Sequence, residues 1–258
     1  MDGTIYLGDR LFDSTPRFLA GLRELDITYS FLTNNSSHSR EEYVARLAAM
    51  GLAAAPDQVY TSTHATAEYL RAHLPGVRRL FVLGTPNMRR EIASLGFDVI
   101  EGDDPPEAVV VGFDRTLQYQ NLCRAAWWIA QGKPFIATNP DRLCPTNQPT
   151  LLVDCGAICA ALEHATGRKP IVIGKPDPRM LEGLRGHLRP DQLAMVGDRL
   201  STDIAMACGS GVLGILVLTG EATREQARNS PWQPDIIAED LDDLAMRFQR
   251  ASLEPEPV

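Results

Sequence analysis

No apolar run in the sequence approaches the ~18 residues that a membrane-spanning helix needs, and the opening MDGTIYLGDR has no basic stretch followed by an apolar one. Neither a bilayer span nor a signal peptide is visible. There is no CxxC pair either: Cys123, Cys144, Cys155, Cys159 and Cys208 show no zinc spacing. An odd set of cysteines without a secretion signal reads as reduced thiols of a cytoplasmic protein. Cys155 and Cys159, four apart, read as two small apolar side chains on one helix face. Basic residues are in the minority, and a formal charge of −8 argues against the basic footprint by which nucleic acid is bound. No Walker-type glycine-rich loop is present, which sets aside nucleotide hydrolysis of the P-loop kind. Gly209-Ser-Gly211-Val-Leu-Gly214 does match the GxGxxG dinucleotide fingerprint. It lies between a helical pattern and a following strand, however, the reverse of the order that fingerprint needs, so a helix C-cap turn is the better reading.

What is present is the composition of a globular α/β chain: 258 residues, 44% hydrophobic and 22% charged, enough for one large domain or two smaller ones. Strand-type runs recur at ITYSFL (27–32), RLFVL (79–83), EAVVVGF (107–113), PFIAT (134–138), IVI (171–173), LAMVG (193–197) and GILVL (214–218). Helical patterns lie between most of them, notably at 116–131, 156–166, 178–188 and 201–208. Ser39 with Glu42 forms a capping box, and Asp177 followed by Pro178 reads as an N-cap with a first-turn proline. Such alternation predicts a mainly parallel sheet covered on both faces. The terminal SLEPEPV reads as a frayed tail.

Four short segments carry chemistry: Asp2-Gly-Thr-Ile, Thr33-Asn34-Asn35, Gly174-Lys175-Pro176, and Gly197-Asp198 with Asp203 five residues on. The last three each follow an apolar strand, at the carboxyl edge where open parallel sheets bind ligands. Carboxylates there suit Mg²⁺, which keeps waters and needs few protein ligands. A lysine, a hydroxyl and backbone N–H groups suit a phosphoryl group. Phosphoryl transfer through an aspartyl-phosphate is the chemistry this leaves. Blander readings stay open: Asp203 as a first-turn helix charge and Lys175 as an exposed loop lysine.

In order and spacing, the four segments resemble motifs I to IV of the haloacid dehalogenase superfamily. FLTNNSS, ATNPD, the GAI at 156–158 with ALEHATGRKPIVIGKPDP, and VGDRLSTDI resemble its NagD-like, p-nitrophenylphosphatase subgroup. The resemblance covers nearly the whole chain. It implies a Rossmann-like parallel-sheet core at 1–76 and 168–258 with an inserted α/β cap at 77–167. By position, Asp2 matches the second aspartate of DxDGT, a general acid/base whose carbonyl contacts Mg²⁺. Thr33 and the backbone at Asn34, beside Asn35, would hold phosphoryl oxygens, and Lys175 would neutralise them. Asp198 would be a direct metal ligand, supported by Asp203. In the cap, Asn139 and Asp141 fall in the substrate loop. Asp154 stands where relatives carry PGAG; it would suit a hydroxylated or cationic substrate, or serve simply as an N-cap. Cys144 lies where pyridoxal-phosphate-specific relatives place a histidine, which argues against that substrate.

The sequence departs from the family at its start. The nucleophilic aspartate would stand two residues before Asp2, ahead of Met1, and the apolar strand preceding it is likewise not among the 258 residues. Met1 reads as the middle of Asp-Met-Asp-Gly-Thr, so an in-frame extension of roughly ten residues, one strand, is expected upstream. The expected function is Mg²⁺-dependent hydrolysis of a small phosphomonoester, with the chain as written inactive. The expected partner is a small phosphorylated metabolite, with a homodimer as the assembly and neither nucleic acid nor membrane involved. The rivals are a non-catalytic binding protein on the same fold, and phosphoryl transfer to a sugar or carbon–halogen cleavage. Retention of Asp2 disfavours the dehalogenase, and the large cap disfavours the small-cap mutases.

Overall fold

The alternation of apolar strands and helices produces parallel sheets, as a computed structural model describing residues 1–146 and 148–253 shows. Residues 254–258, most of the tail expected to fray, lie outside the described residues. Packing divides the chain into two compact units, Met1–Phe31 with Val44–Gln58 and His187–Val258, and Leu32–Tyr43 with Val59–Gly186. These units place 32–43, 59–76 and 168–186 with the cap sequence, whereas the motif-based division assigns those residues to the core.

In the first unit, Ala194–Gly197, Leu213–Val217 and Ile236–Ala238 form a three-stranded parallel sheet in that order. Helix α1 (Ser14–Glu24) packs on the helix Leu241–Leu253 through Phe18 and Phe248, whose ring centroids lie 6.1 Å apart. Gly211, at φ +69°, closes the helix Ala205–Ser210 before the next strand. The GxGxxG match is therefore a left-handed C-cap, as expected.

In the second unit five parallel strands run in the order Ile171–Val172, Phe135–Ala137, Ala108–Val111, Arg79–Leu83, Asp98–Val99. Ala108–Val111 is buried throughout, the unbroken apolar run expected of a strand covered on both faces. Helix α2 (Arg40–Ala49), of which only Arg40–Tyr43 belong to this unit, begins at the expected capping box: the Ser39 N–H donates to Glu42 at 2.8 Å, and the Glu42 N–H to Ser39 at 3.2 Å. Helices α3 (Ser62–His73) and α4 (Pro86–Ser94) are capped by Thr61 and Thr85. Helices α5 (Tyr119–Ala130) and α6 (Cys155–Thr166) cover the sheet with a core of Phe81, Leu83, Val109, Ile129, Ile158 and Leu162. Cys155 and Cys159 are buried in that core, their sulfurs 3.9 Å apart.

Two local expectations fail. ITYSFL forms a strand only at Phe31–Thr33, paired with Val59–Thr61. Thr28 and Ser30 are exposed and have no ladder, and alternation without a partner strand leaves the backbone to water. The helix expected at 178–188 is a 3₁₀ turn, Pro178–Leu181, followed by one α-turn, Glu182–Arg185. Gly183 and Gly186 weaken a longer helix there. The Asp177 cap itself forms, accepting from the Arg179 N–H at 3.0 Å.

Candidate active site

Two groups of expected residues take shape, one in each unit. In the first, the chain turns tightly after Met1: the Thr4 and Ile5 N–H groups donate to the Met1 carbonyl at 3.1 and 2.9 Å. Gly3 makes the turn with φ +78°, a conformation that costs glycine nothing. Asp2 is exposed, its Oδ1 accepting from the Gly8 N–H at 3.3 Å. Asp198, just past the strand Ala194–Gly197, is 4% exposed. Its Oδ1 accepts from the Thr4 hydroxyl at 3.1 Å, and its Oδ2 from the Glu221 N–H at 3.0 Å. A Cβ on Gly3 or Gly220 would lie 2.3 or 2.1 Å from Oδ2, so two bare backbones flank this carboxylate. Thr219 ties the arrangement by donating to the Gly3 carbonyl at 2.6 Å. Asp203, also buried, accepts from the Arg199 N–H at 3.2 Å. Among the described residues no three His, Cys, Asp or Glu side chains gather into a metal-sized group, so Asp2, Asp198 and Asp203 do not make a ready cage. The donor chemistry nevertheless fits a hard cation. Asp198 is buried between neutral donors, and a buried carboxylate is favoured by a positive charge beside it.

In the second unit, Asn34 is the hub. Its Oδ1 accepts from the Lys175 N–H at 2.8 Å, and its Nδ2 donates to the Lys175 carbonyl at 2.9 Å and to Asp141 Oδ2 at 3.0 Å. Its carbonyl accepts from the Ser62 hydroxyl at 2.6 Å and from Asn139 Nδ2 at 2.9 Å. Segments 141 residues apart are thus joined by reciprocal hydrogen bonds. Thr33 Oγ1 accepts from the Asn35 N–H at 3.2 Å, and Asn35 Oδ1 accepts from the Ser37 N–H at 2.9 Å. Lys175 is only 6% exposed, so the reading of an exposed loop lysine does not hold. A cavity of about 420 Å³ beside Arg23, Asp26, Tyr29 and Asp57 holds none of the expected site residues.

Residues 1–98 match the family profile described as haloacid dehalogenase-like hydrolase, and residues 172–244 match a second HAD-hydrolase-like profile. The acid sugar phosphatase of Staphylococcus aureus is 33% identical over 254 residues, 97% of this chain and 96% of that protein. The chain belongs to the haloacid dehalogenase-like hydrolases. Among solved structures of the family, the 4-nitrophenylphosphatase of Thermotoga maritima superposes with a TM-score of 0.89 at 39% identity, over 95% of this chain and 94% of that one. A glycerol phosphate phosphatase of Mycobacterium tuberculosis, in complex with magnesium, gives 0.87 at 34% identity, over 95% and 74%. The fold is the Rossmann-like α/β fold of these enzymes, of the NagD-like, p-nitrophenylphosphatase kind, and the chain is a phosphatase by class.

Within this haloacid dehalogenase-like chain the remaining expected residues are placed as follows. Asn139 is fully buried and supports Asn34. Asp154 is 3% exposed and caps α6, accepting from the Cys155 N–H at 2.5 Å, so its capping role is realised. Cys144 is half-buried in the short hairpin Leu143–Cys144 with Leu152–Val153. Sequence reasoning passed over Thr4, Ser62 and Gly220. Each left a signal: Thr4 lies in the DGT itself, and Ser62 and Gly220 directly follow the apolar runs VYT and GILVLT.

Proposed function

We propose that this haloacid dehalogenase-like chain is a Mg²⁺-dependent phosphatase that hydrolyses a small phosphomonoester through an aspartyl-phosphate. The reading is carried by the reciprocal hydrogen bonds between Asn34 and Lys175, which fix a hydroxyl-bearing segment and a buried lysine together. In this reading the Thr33 hydroxyl and the backbone at Asn34 hold phosphoryl oxygens, and Lys175 offsets the charge they develop. Asp198 and the Asp2 carbonyl would hold Mg²⁺, with Asp203 in support through Arg199 and Gly197. The ion supplies charge stabilisation when bound. Asp2, exposed and so open to water, passes a proton to the leaving group and takes one from water. The relatives' names, an acid sugar phosphatase and a glycerol phosphate phosphatase, favour a sugar or polyol phosphate as substrate. Asn139, Cys144 and Asp154 belong to the proposed cap at 77–167, and the proposed core is 1–76 with 168–258. A cytoplasmic homodimer is part of the same proposal; no helix among the described residues is long and apolar enough to cross a membrane.

The nucleophile is the aspartate expected two residues before Asp2. The second reading is a non-catalytic binding protein on the same fold. The test compares hydrolysis of p-nitrophenyl phosphate by the chain as it stands with that by a chain preceded by an apolar strand ending in aspartate, each with Mg²⁺ and with chelator. Metal-dependent turnover by the longer chain is expected. No turnover by either leaves the binding protein.

A further inference from the structure

Among the described residues, two buried oxygens of the second unit have no protein hydrogen-bond partner: Oε2 of Glu91 on α4 and Oγ1 of Thr63 on α3. Glu91 is 5% exposed. Its Oε1 accepts from the N–H of Arg40, the first residue of α2, at 2.6 Å and lies 3.6 Å from His64 Nδ1. That nitrogen is also 2.9 Å from the Thr61 hydroxyl. The distance to His64 is that of an ion pair, yet burial opposes both charges. Burial pushes Glu91 up to about 7 and His64 down to about 4, so both are neutral between those values. The charged groups around them are Arg40 and Glu41 of α2, which act on both Glu91 and His64, and Arg71 of α3, which acts on His64. An ionised Glu91 would bury a charge, a costly state even with a hydroxyl beside it. A proton on Oε2 removes the charge and makes that oxygen a donor. The Thr63 side chain favours the ionised carboxyl and so partly offsets burial, but its hydroxyl can also rotate to accept from the protonated acid.

The same three helices grip the segment from Thr33 to Arg40. Ser62, beside Thr63 in the first turn of α3, holds the Asn34 carbonyl at 2.6 Å. Thr85, the cap of α4, donates to the Ser37 carbonyl at 2.8 Å, and Tyr43 of α2 donates to the Asn35 carbonyl at 3.1 Å. Glu91 fastens the far end at Arg40. We propose that Glu91 is a positioning residue which, as a neutral acid, ties the first turn of α2 to the first turn of α3 and so holds the Thr33–Asn35 segment in place. Ionisation leaves a buried charge that is relieved by admitting water between the three helices, and the segment loosens as the pH rises through neutrality. That this segment serves a phosphoryl group rests on the function proposed above; the tie itself does not.

Hydrogen exchange of the amides of residues 34–43 in the 258-residue protein tests the tie, with intrinsic exchange corrected. Glu91→Gln keeps an acceptor for Arg40 and a donor for Thr63, and it does not titrate. Between about pH 6 and pH 8 the protection of the parent protein should fall about threefold or more, while that of Glu91→Gln stays level. Equal pH dependence in the two proteins overturns the proposal, and Glu91→Gln guards against a Glu91→Ala that simply fails to fold. Calorimetric binding of inorganic phosphate to both proteins at the same two pH values separates the functional reading. An affinity ratio that shifts with pH joins the tie to the site. If neither protein binds phosphate while exchange still differs, the tie stands and the phosphoryl-site reading falls.

Discussion

The two groups of site residues are built on opposite principles. Around Asp198 the walls are made by what is missing, the side chains of Gly3 and Gly220, and the carboxylate is left with neutral donors. Around Asn34 the walls are made by what is present, with amide and hydroxyl side chains meeting main-chain groups in a closed set of hydrogen bonds. The first arrangement suits an ion that must approach closely. The second suits a group whose oxygens need fixed donors. One should fail by crowding and the other by loss of partners.

Substitutions separate these two modes, and the largest effect is expected at Asp198. In the nucleophile-bearing enzyme, Asp198→Ala should abolish Mg²⁺-dependent hydrolysis of p-nitrophenyl phosphate; full activity in excess chelator would break the metal half of the comparison. Next comes Lys175→Ala, which should lower kcat by roughly 10²-fold or more, while unchanged kinetics would make Lys175 a structural lysine alone. Gly220→Ala sets a methyl 2.1 Å from Asp198 Oδ2 and should cost about 1–3 kcal/mol of stability by overpacking. It should also raise the Mg²⁺ concentration needed for half-maximal rate, and a normal metal titration would show that Asp198 can yield. Ser62→Ala, on the hydrogen-bonded side, should cost about 1 kcal/mol in denaturant melts with no change in metal dependence. The smallest effect is expected at Asp154, where Ala removes a helix cap worth about 1 kcal/mol and Asn restores it. A shift in relative kcat/KM among sugar phosphates in Asp154→Asn would add a specificity role to the cap.

Much of this fold was legible because the strands are short, apolar and unbroken. RLFVL is a strand over its full length, and five other strand runs formed within a residue or two of their expected limits. ITYSFL was overread, since alternation says which residues could share a face and not whether a neighbouring strand is there to pair with them. The 178–188 helix was overread because its two glycines were weighed too lightly. At the site, the segment ends were legible as chemistry, but their supports were not. Ser62 reaches Asn34 across 28 residues, and Thr4 reaches Asp198 across 194, contacts that only tertiary folding creates. Glu91 did leave a trace, lying with Met88 and Ile92 on the inward stripe of α4. A carboxyl on an apolar stripe signals either a partner or a proton.

That buried pair carries a consequence for how folding exchanges protons. Unfolded, Glu91 releases its proton near 4.5, while folded it keeps it up to about 7, so its contribution to stability is full in acid and fades as the pH rises through that window. His64 does the reverse: unfolded it binds a proton below 6.5, and folded it refuses one until about 4, so its penalty grows as the pH falls. Between 4.5 and 6.5 the unfolded chain carries one proton on the histidine and the folded chain carries one on the acid. Folding in that range is, for this pair, an internal proton transfer that extinguishes two opposite charges and takes nothing from the buffer. The pair adds no pH slope to stability there, and its unfolding heat is the same in buffers of different ionisation enthalpy. Glu91→Gln leaves the histidine alone and should make the protein melt lower as it is acidified from 6.5, whereas His64→Gln leaves the acid alone and should tilt the same curve the other way.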